Sequence, residues 1–82
     1  IDYLWNKIKD YMDEKSYTYT FKVNYDSVYI EIEDMKIELF DSNFFSINKH
    51  IDIKGKNIND TFEKVKLFID LIKNSNERVK YN

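Results

Sequence analysis

The chain has 82 residues, a net charge of −2 and an aromatic content of 17%. This length suits one small domain, and so many aromatic residues with so little net charge exclude a disordered chain. Because cysteine is absent, disulfides, thiolate metal sites and cysteine nucleophiles are excluded as well. His50 is the only histidine and Gly55 the only glycine, which argues against a histidine-rich metal centre and a phosphate-binding glycine loop. We expect no enzyme activity, no cofactor and no metal.

An amphipathic helix opens the chain. Leu4, Ile8 and Met12 recur at four-residue spacing, which predicts a helix over 3–14. The next segment, YTYTFKVNY at 17–25, alternates apolar and polar residues and predicts a strand. We interpret its aromatic row as core and not as a base-stacking platform, although the two look alike in sequence. This row consists of Tyr17, Tyr19, Phe21 and Tyr25.

Three further strands are predicted at 28–33, 35–40 and 44–54. Apolar residues occupy even positions in the first of them and odd positions in the next two. Each change of parity requires a turn, because a one-residue slip would move every apolar side chain into water. The last strand is expected to bulge or bend at 48–50, where a lysine interrupts its apolar side. Tight turns are predicted at 26–27, 33–34 and 41–43.

These turns predict which residues face each other across the sheet. On the inner side, Tyr25 is expected opposite Val28 and Ile32 opposite Met35. On the outer side, Glu31 is expected between two lysines, as an ordinary cross-strand row that stabilises the sheet. That row consists of Lys22, Glu31 and Lys36.

A second helix is predicted over 60–74, with Asp60 and Glu63 as a capping box and a frayed tail at 75–82. The whole chain, 1–82, then forms a single α+β domain with the order α-β-β-β-β-α. Sequential strands with short connections favour an antiparallel meander. Because each helix has one apolar stripe, we expect two layers, with both helices on one face of the sheet.

Acidic residues are concentrated in the middle of the chain. One lysine and six acidic residues between 26 and 48 give this part a net charge of −5. Aromatic side chains beside unpaired carboxylates are typical of a recognition surface. The simpler interpretations are that Phe40 and Phe44 clasp each other across a turn, and that Asp34 faces His50. The candidate partner-binding residues are Tyr29, Glu33, Asp34, Glu38, Phe40, Asp41 and Phe44.

Four segments suggest a family: the opening helix DYLWNKIKDYMDEK, the strand SYTYTFKV, the acidic hairpin VYIEIEDMKIEL and the late helix NDTFEKVKLFIDLIKN. In architecture and composition the chain resembles the small phage-encoded anti-CRISPR inhibitors of Cas9. The resemblance implies an acidic surface that occupies a basic, DNA-reading groove. It carries over no individual residue. Because the chain has no cysteine and its N-terminus is too polar for a signal-peptide core, we expect a cytoplasmic location, in the host cell if the protein is phage-encoded.

Three hypotheses follow for the function. The first is a small protein-binding inhibitor whose acidic–aromatic surface docks on a basic site of a larger protein. The second is an accessory or oligomerisation domain of a longer protein, which pairs through a free strand edge and exists as a monomer or homodimer. The third is a weak nucleic-acid binder that uses the lysine-rich second helix, although a single arginine makes specific nucleic-acid recognition unexpected. No run of apolar residues is long enough to predict a membrane span.

Overall fold

The computed structural model describes residues 2–41 and 43–81, and side chains within those ranges up to residue 75. The elements are α1 (Asp2–Glu14), β1 (Thr20–Val23), β2 (Ser27–Ile32), β3 (Met35–Phe40), β4 (Phe44–Ile47), β5 (Ile51–Lys54) and α2 (Ile58–Tyr81). All five strands join one antiparallel sheet in sequential order. The predicted α+β antiparallel meander is confirmed, with five strands in place of four.

One hydrophobic core lies between the helices and the sheet. It contains buried residues from α1, from β2, β3 and β4, and from α2, and these form a single cluster. The prediction that both helices pack on one face is therefore confirmed. Each buried aliphatic side chain stabilises the fold by about 1.5–3 kcal/mol relative to its exposed state. The largest fully buried side chains include Phe45, Ile8, Met12, Ile30, Ile32, Ile37, Leu39 and Ile69.

The strand predicted at 44–54 is wrong, because the chain reverses at 48–50 and forms two strands, β4 and β5. Asn48 and Lys49 both adopt left-handed backbone conformations, with φ of 52° and 62°. The Asn48 N–H donates to the Lys36 carbonyl at 2.8 Å, and the Asn48 side-chain oxygen accepts from the Lys36 N–H at 2.9 Å. These bonds hold the turn against β3. The bend expected at this point is thus a complete reversal.

The predicted pairing of the first two strands is also wrong, by two residues. Val28 faces Val23 and not Tyr25. The Asn24 N–H donates to the Ser27 carbonyl at 2.8 Å, so the turn is 25–26 instead of 26–27. A two-residue shift keeps every side chain on its own face, and the alternation pattern therefore cannot detect it.

The aromatic row of the first strand is only partly in the core. Tyr17 and Tyr19 are half-buried against the core cluster. Phe21 is 51% exposed, although its ring packs on Trp5 at a centroid distance of 4.9 Å. Tyr25 lies in the turn and is fully exposed, at 102%. The interpretation of this row as core is wrong for Phe21, which is more than half exposed, and for Tyr25, because the shifted turn removes it from the sheet.

The second helix is longer than predicted, since it spans Ile58–Tyr81 and not 60–74. The Asn57 side-chain oxygen accepts from the Asp60 N–H at 2.9 Å. The Asp60 carboxylate accepts from the Lys56 N–H at 2.8 Å. Asn57 therefore caps the helix, and Asp60 bonds back to the residue before the cap, so the predicted capping box of Asp60 with Glu63 is wrong. Within the predicted frayed tail the backbone stays helical to residue 81, and Asn82 lies outside the described residues. No glycine or proline follows Gly55 to end the helix sooner.

Candidate functional site

The seven residues of the predicted acidic–aromatic surface do not lie together. Glu33 and Asp34 form the turn before β3, whereas Asp41 follows β3 directly. Six extended residues span about 20 Å, so the acidic residues lie at opposite ends of the sheet. The other four belong to the sheet face opposite the helices, which we call the outer face. They are Tyr29, Glu38, Phe40 and Phe44.

At one end of the outer face, Phe40 and Phe44 stack on each other. They are direct cross-strand neighbours, with ring centroids 4.6 Å apart and planes inclined by 10°. Both side chains are half-buried. The sequence-based interpretation that the two rings clasp each other is confirmed. Because each ring covers part of the other, two phenylalanines on a solvent-facing sheet need no binding partner to account for them.

Tyr29 occupies the centre of the outer face, between Lys22 and Glu38. The Lys49 ammonium lies 5.6 Å from the Tyr29 ring centroid. The Tyr29 hydroxyl is buried and has no hydrogen-bond partner of ordinary geometry among the described residues. Its proximity to the Lys49 ammonium raises the pKa of Lys49, and the Glu38 carboxylate raises it further. A recess of about 460 Å³ with three lysines in its lining surrounds this tyrosine. The outer face therefore carries mixed charge and is not uniformly acidic.

The cross-strand row predicted around Glu31 is half right. Glu31 faces Lys36, as predicted, but on its other side it faces Thr20. Lys22 faces Tyr29 because of the two-residue shift between β1 and β2.

At the β2–β3 turn, the two acidic residues have different surroundings. Glu33 adopts a left-handed conformation with φ of 55°, and its carboxylate pairs with the Lys73 ammonium at 2.7 Å. The cation comes from α2, so the three-strand register used in the sequence analysis could not show it. Asp34 is exposed, and among the described residues it forms no ion pair with His50, contrary to the interpretation above.

An apolar recess of about 320 Å³ lies between this turn and α2. We call it the tip groove and define it by its lining residues. Leu71 is 58% exposed, although it lies in the middle of a helix that packs on the core. The groove thus combines an acidic rim with an apolar floor. Its lining consists of Glu33, Asp34, Met35, Phe68, Leu71, Ile72 and Ser75.

Sequence reasoning missed the helical half of this groove. Phe68 and Ile72 belong to the apolar stripe of α2, which was predicted to face the sheet. Leu71 lies beside that stripe, and so does Leu67, which is 62% exposed. The signal in the sequence was the presence of two leucines outside the buried stripe. A single exposed apolar residue would be ordinary, but neighbouring ones can form a binding patch.

The described lysines of α2 are occupied within the domain. Each forms an ion pair with an acidic residue, and Lys64 also donates to the Lys54 carbonyl at 3.0 Å. They therefore do not form a free basic row of the kind that follows a nucleic-acid backbone. The pairs are Lys64 with Asp60, Lys66 with Glu63, and Lys73 with Glu33.

A hydrogen-bonded cluster joins the two helices and the segment before β1. The Asp70 carboxylate accepts from the Tyr11 hydroxyl at 2.7 Å and from the Tyr17 hydroxyl at 3.0 Å. Burial and the Asp70 carboxylate raise the pKa of Tyr11. The Lys73 ammonium lies 5.3 Å from the Tyr17 ring centroid. Because Lys73 also pairs with Glu33, the cluster supports the position of the tip groove.

Neither described helix has a stretch apolar and long enough to cross a membrane. In the described part of the chain, no three histidine or acidic side chains are grouped so that they could hold a metal ion. Known protein families, curated proteins and solved structures contain no match to this chain.

Proposed function

We propose that this chain is a small non-enzymatic protein-binding domain, and that its tip groove binds a basic, apolar segment of a larger protein. The observation that supports the proposal is that exposed Asp34 and an apolar floor that includes Leu71 line the same groove. Interface cores are typically apolar and their rims polar, which is the arrangement found here.

The chemistry of the groove suggests what kind of segment would fit. A leucine or phenylalanine side chain would cover Leu71 and the floor between β3 and α2. A lysine or arginine next to it would lie beside Asp34, whereas Glu33 is already neutralised by Lys73. A rim charge of this kind mainly speeds association and makes it sensitive to salt, while the apolar contact supplies most of the affinity.

The mixed charge of the outer face makes it a less suitable site for a basic partner than the tip groove. Lysines surround Tyr29 there, and Phe40 and Phe44 already contact each other. A basic partner would meet repulsion over much of that face. At the tip groove the described lining contains two carboxylates and no lysine.

The resemblance to anti-CRISPR proteins suggests one concrete form of this function. In that form the partner is a phage-defence nuclease such as Cas9, and the bound segment belongs to its basic nucleic-acid-binding surface. DNA cleavage by the purified nuclease, with and without the protein, tests this form separately from the binding function itself.

The binding test compares two groove variants with two matched controls. Leu71→Ser removes the exposed apolar side chain, and Leu67→Ser removes an equally exposed leucine of the same helix outside the groove lining. Asp34→Lys reverses the rim charge, and Asp52→Lys reverses an exposed carboxylate on β5. The probe is a synthetic amphipathic peptide of leucine and lysine, with a second peptide in which glutamate replaces lysine.

Binding is measured by calorimetry and by backbone chemical-shift changes. We expect the basic peptide to shift the amides around Asp34 and Leu71 and to bind more weakly at higher salt. The two groove variants should lose this binding, and the two controls should keep it. Equal binding of the acidic peptide, or equal losses in the Leu67 and Leu71 variants, would contradict the proposal.

A further inference from the structure

Three lysines from different parts of the chain line one recess of the outer face. Lys22 belongs to β1, Lys36 to β3 and Lys49 to the β4–β5 turn, and all three are exposed. The recess has a volume of about 460 Å³ and surrounds Tyr29 on β2, so we call it the Tyr29 recess. Neighbouring strands lie about 4.8 Å apart, a distance that long lysine side chains span from either side of β2.

The charge of the Tyr29 recess is positive. Its described lining contains three lysines and one carboxylate, that of Glu31, which leaves a net charge of +2. Glu38 lies outside the lining but close enough to Lys49 to act on its charge, and counting it still leaves an excess of one positive charge. None of the three lysines forms an ion pair among the described residues, whereas the described lysines of α2 all do.

The Tyr29 hydroxyl is a donor whose proton has no acceptor among the described residues. The hydroxyl is buried, and it has no hydrogen-bond partner of ordinary geometry there. The neighbouring Lys49 ammonium does not accept this proton, because an ammonium group is a donor only. A buried polar group in this state is unfavourable, and most buried polar groups in proteins are paired. An anionic oxygen in the recess would accept from the phenol and from the lysines together.

The backbone places Lys49 beside the recess at a position that favours glycine. Asn48 and Lys49 form a two-residue turn, closed by the His50 N–H, which donates to the Ile47 carbonyl at 3.0 Å. Both central residues have positive φ, and asparagine followed by glycine is the favoured pair in such a turn. Lysine at the second position is less suited to this conformation, yet it brings an ammonium to 5.6 Å from the Tyr29 ring centroid. Residues held in unfavourable backbone conformations are concentrated at functional sites.

We propose that the Tyr29 recess binds a small molecule that carries a phosphomonoester group. The phosphate oxygens accept from the three lysine ammonium groups and from the Tyr29 hydroxyl, in charge-assisted hydrogen bonds. A phosphomonoester carries a charge of about −1.5 to −2 at pH 7, which complements the recess better than a single carboxylate does. The volume of about 460 Å³ lies in the range of small-molecule sites and leaves room for an organic group beside the phosphate.

A compact anion fits this face better than a nucleic-acid strand. Glu38 lies opposite Tyr29 on β3, and Asp52 lies further along the same cross-strand row. A row of phosphates crossing the sheet would meet these carboxylates, whereas a single phosphate group stays among the lysines. The Tyr29 recess and the tip groove share no lining residue, so this site goes beyond the proposed function and does not depend on it.

Titration of the whole chain with phenyl phosphate tests the proposal, because this probe joins a phosphomonoester to a small apolar group. Binding is followed by backbone chemical shifts at low salt. Benzenesulfonate, which has the same ring and a single negative charge, is the control probe. We expect phenyl phosphate to shift the amides around Tyr29 and Lys49 with a Kd of about 0.1–1 mM, as suits an exposed site, and to bind more weakly at higher salt. Benzenesulfonate should bind at least about threefold more weakly.

Substitutions assign the individual contacts. Lys22→Gln, Lys36→Gln and Tyr29→Phe should each weaken the binding of phenyl phosphate about three- to tenfold, because each removes one donor to the phosphate. Lys54→Gln is the matched control, since Lys54 lies opposite Phe44 on the same face but outside the lining, and it should bind like the unaltered chain. Urea unfolding verifies that all variants are folded.

A Lys49→Gly variant separates binding from stability. Glycine suits the left-handed position, so the urea midpoint should rise, while the loss of the ammonium should weaken binding about three- to tenfold. Three results would overturn the proposal: equal affinities for phenyl phosphate and benzenesulfonate, unchanged affinity in the recess variants, or an equal loss in Lys54→Gln. Tighter binding of a single-stranded oligothymidylate than of phenyl phosphate at the same amides would also overturn it, and would assign this face to nucleic acid.

Discussion

Replacement of Gly55 by alanine should destabilise the domain, although the glycine backbone is not in a left-handed conformation. Gly55 is buried where β5 leads into α2, and its N–H donates to the Asn43 carbonyl at 2.7 Å. A Cβ atom at this position would overlap the Thr61 hydroxyl oxygen and lie 2.8 Å from the Thr61 backbone N and Cα. The hydroxyl can rotate only at the cost of its hydrogen bond to the Asn57 carbonyl, and the backbone atoms belong to the first turn of the helix.

The expected magnitude comes from three contributions to the free energy of unfolding. Overpacking of a tight site costs about 1–3 kcal/mol. Weakening of a buried hydrogen bond costs about 1 kcal/mol more. Alanine restricts the unfolded chain, which offsets about 0.4–1 kcal/mol. A net loss of about 1–3.5 kcal/mol should lower the melting temperature by about 4–28 °C in a domain of this size.

Urea unfolding, followed by circular dichroism and by Trp5 fluorescence, measures this loss. Thr61→Ala in the Gly55→Ala background removes the overlap with the hydroxyl but not with the helix backbone, so the second substitution should cost less than it does alone. Lys56→Ala, at the exposed neighbouring position, serves as control and should change stability by less than about 0.5 kcal/mol. A Gly55→Ala variant as stable as this control would refute the packing argument, and strict additivity with Thr61→Ala would refute the contact between the two residues.

Two further predictions concern the tyrosine–aspartate contacts. Burial and the hydrogen bond to Asp13 raise the pKa of Tyr19 from 10.0 to about 12. The folded state therefore favours the neutral phenol of Tyr19. The stability that this phenol contributes is complete below pH 10 and is lost as the pH rises toward 12. Tyr19→Phe should flatten the pH dependence of urea unfolding between these two pH values. Asp70→Asn should cost about 1–3 kcal/mol, because the charged acceptor of Tyr11 and Tyr17 is lost, and Asp13→Asn at an exposed site should cost less than about 1 kcal/mol in the same urea measurement. Equal losses in the two asparagine variants would contradict the role assigned to the inter-helix cluster.

The candidate site was only partly predictable, because half of it comes from a distant part of the chain. Glu33 and Asp34 were recognised by their charge and by the change of parity around them. The partner of Glu33 is Lys73, forty residues later, and the groove floor includes Leu71. No pattern within the hairpin contains information on which helix face will lie beside it. Glu33 and Asp34 remain predicted partner-binding residues, but their grouping with Asp41 on one surface was wrong.

The sequence by itself determined the elements whose contacts are local. It predicted both helices from the spacing of their apolar residues. It predicted the β2–β3 turn with Ile32 opposite Met35, and the contact between Phe40 and Phe44, from the changes of parity and the short connections. Only the tertiary structure decided the pairing of β1 with β2, the reversal at 48–50 and the tip groove. A shift by two residues leaves the inward and outward pattern unchanged, and the packing of the helices on the sheet brings together residues that no local period relates.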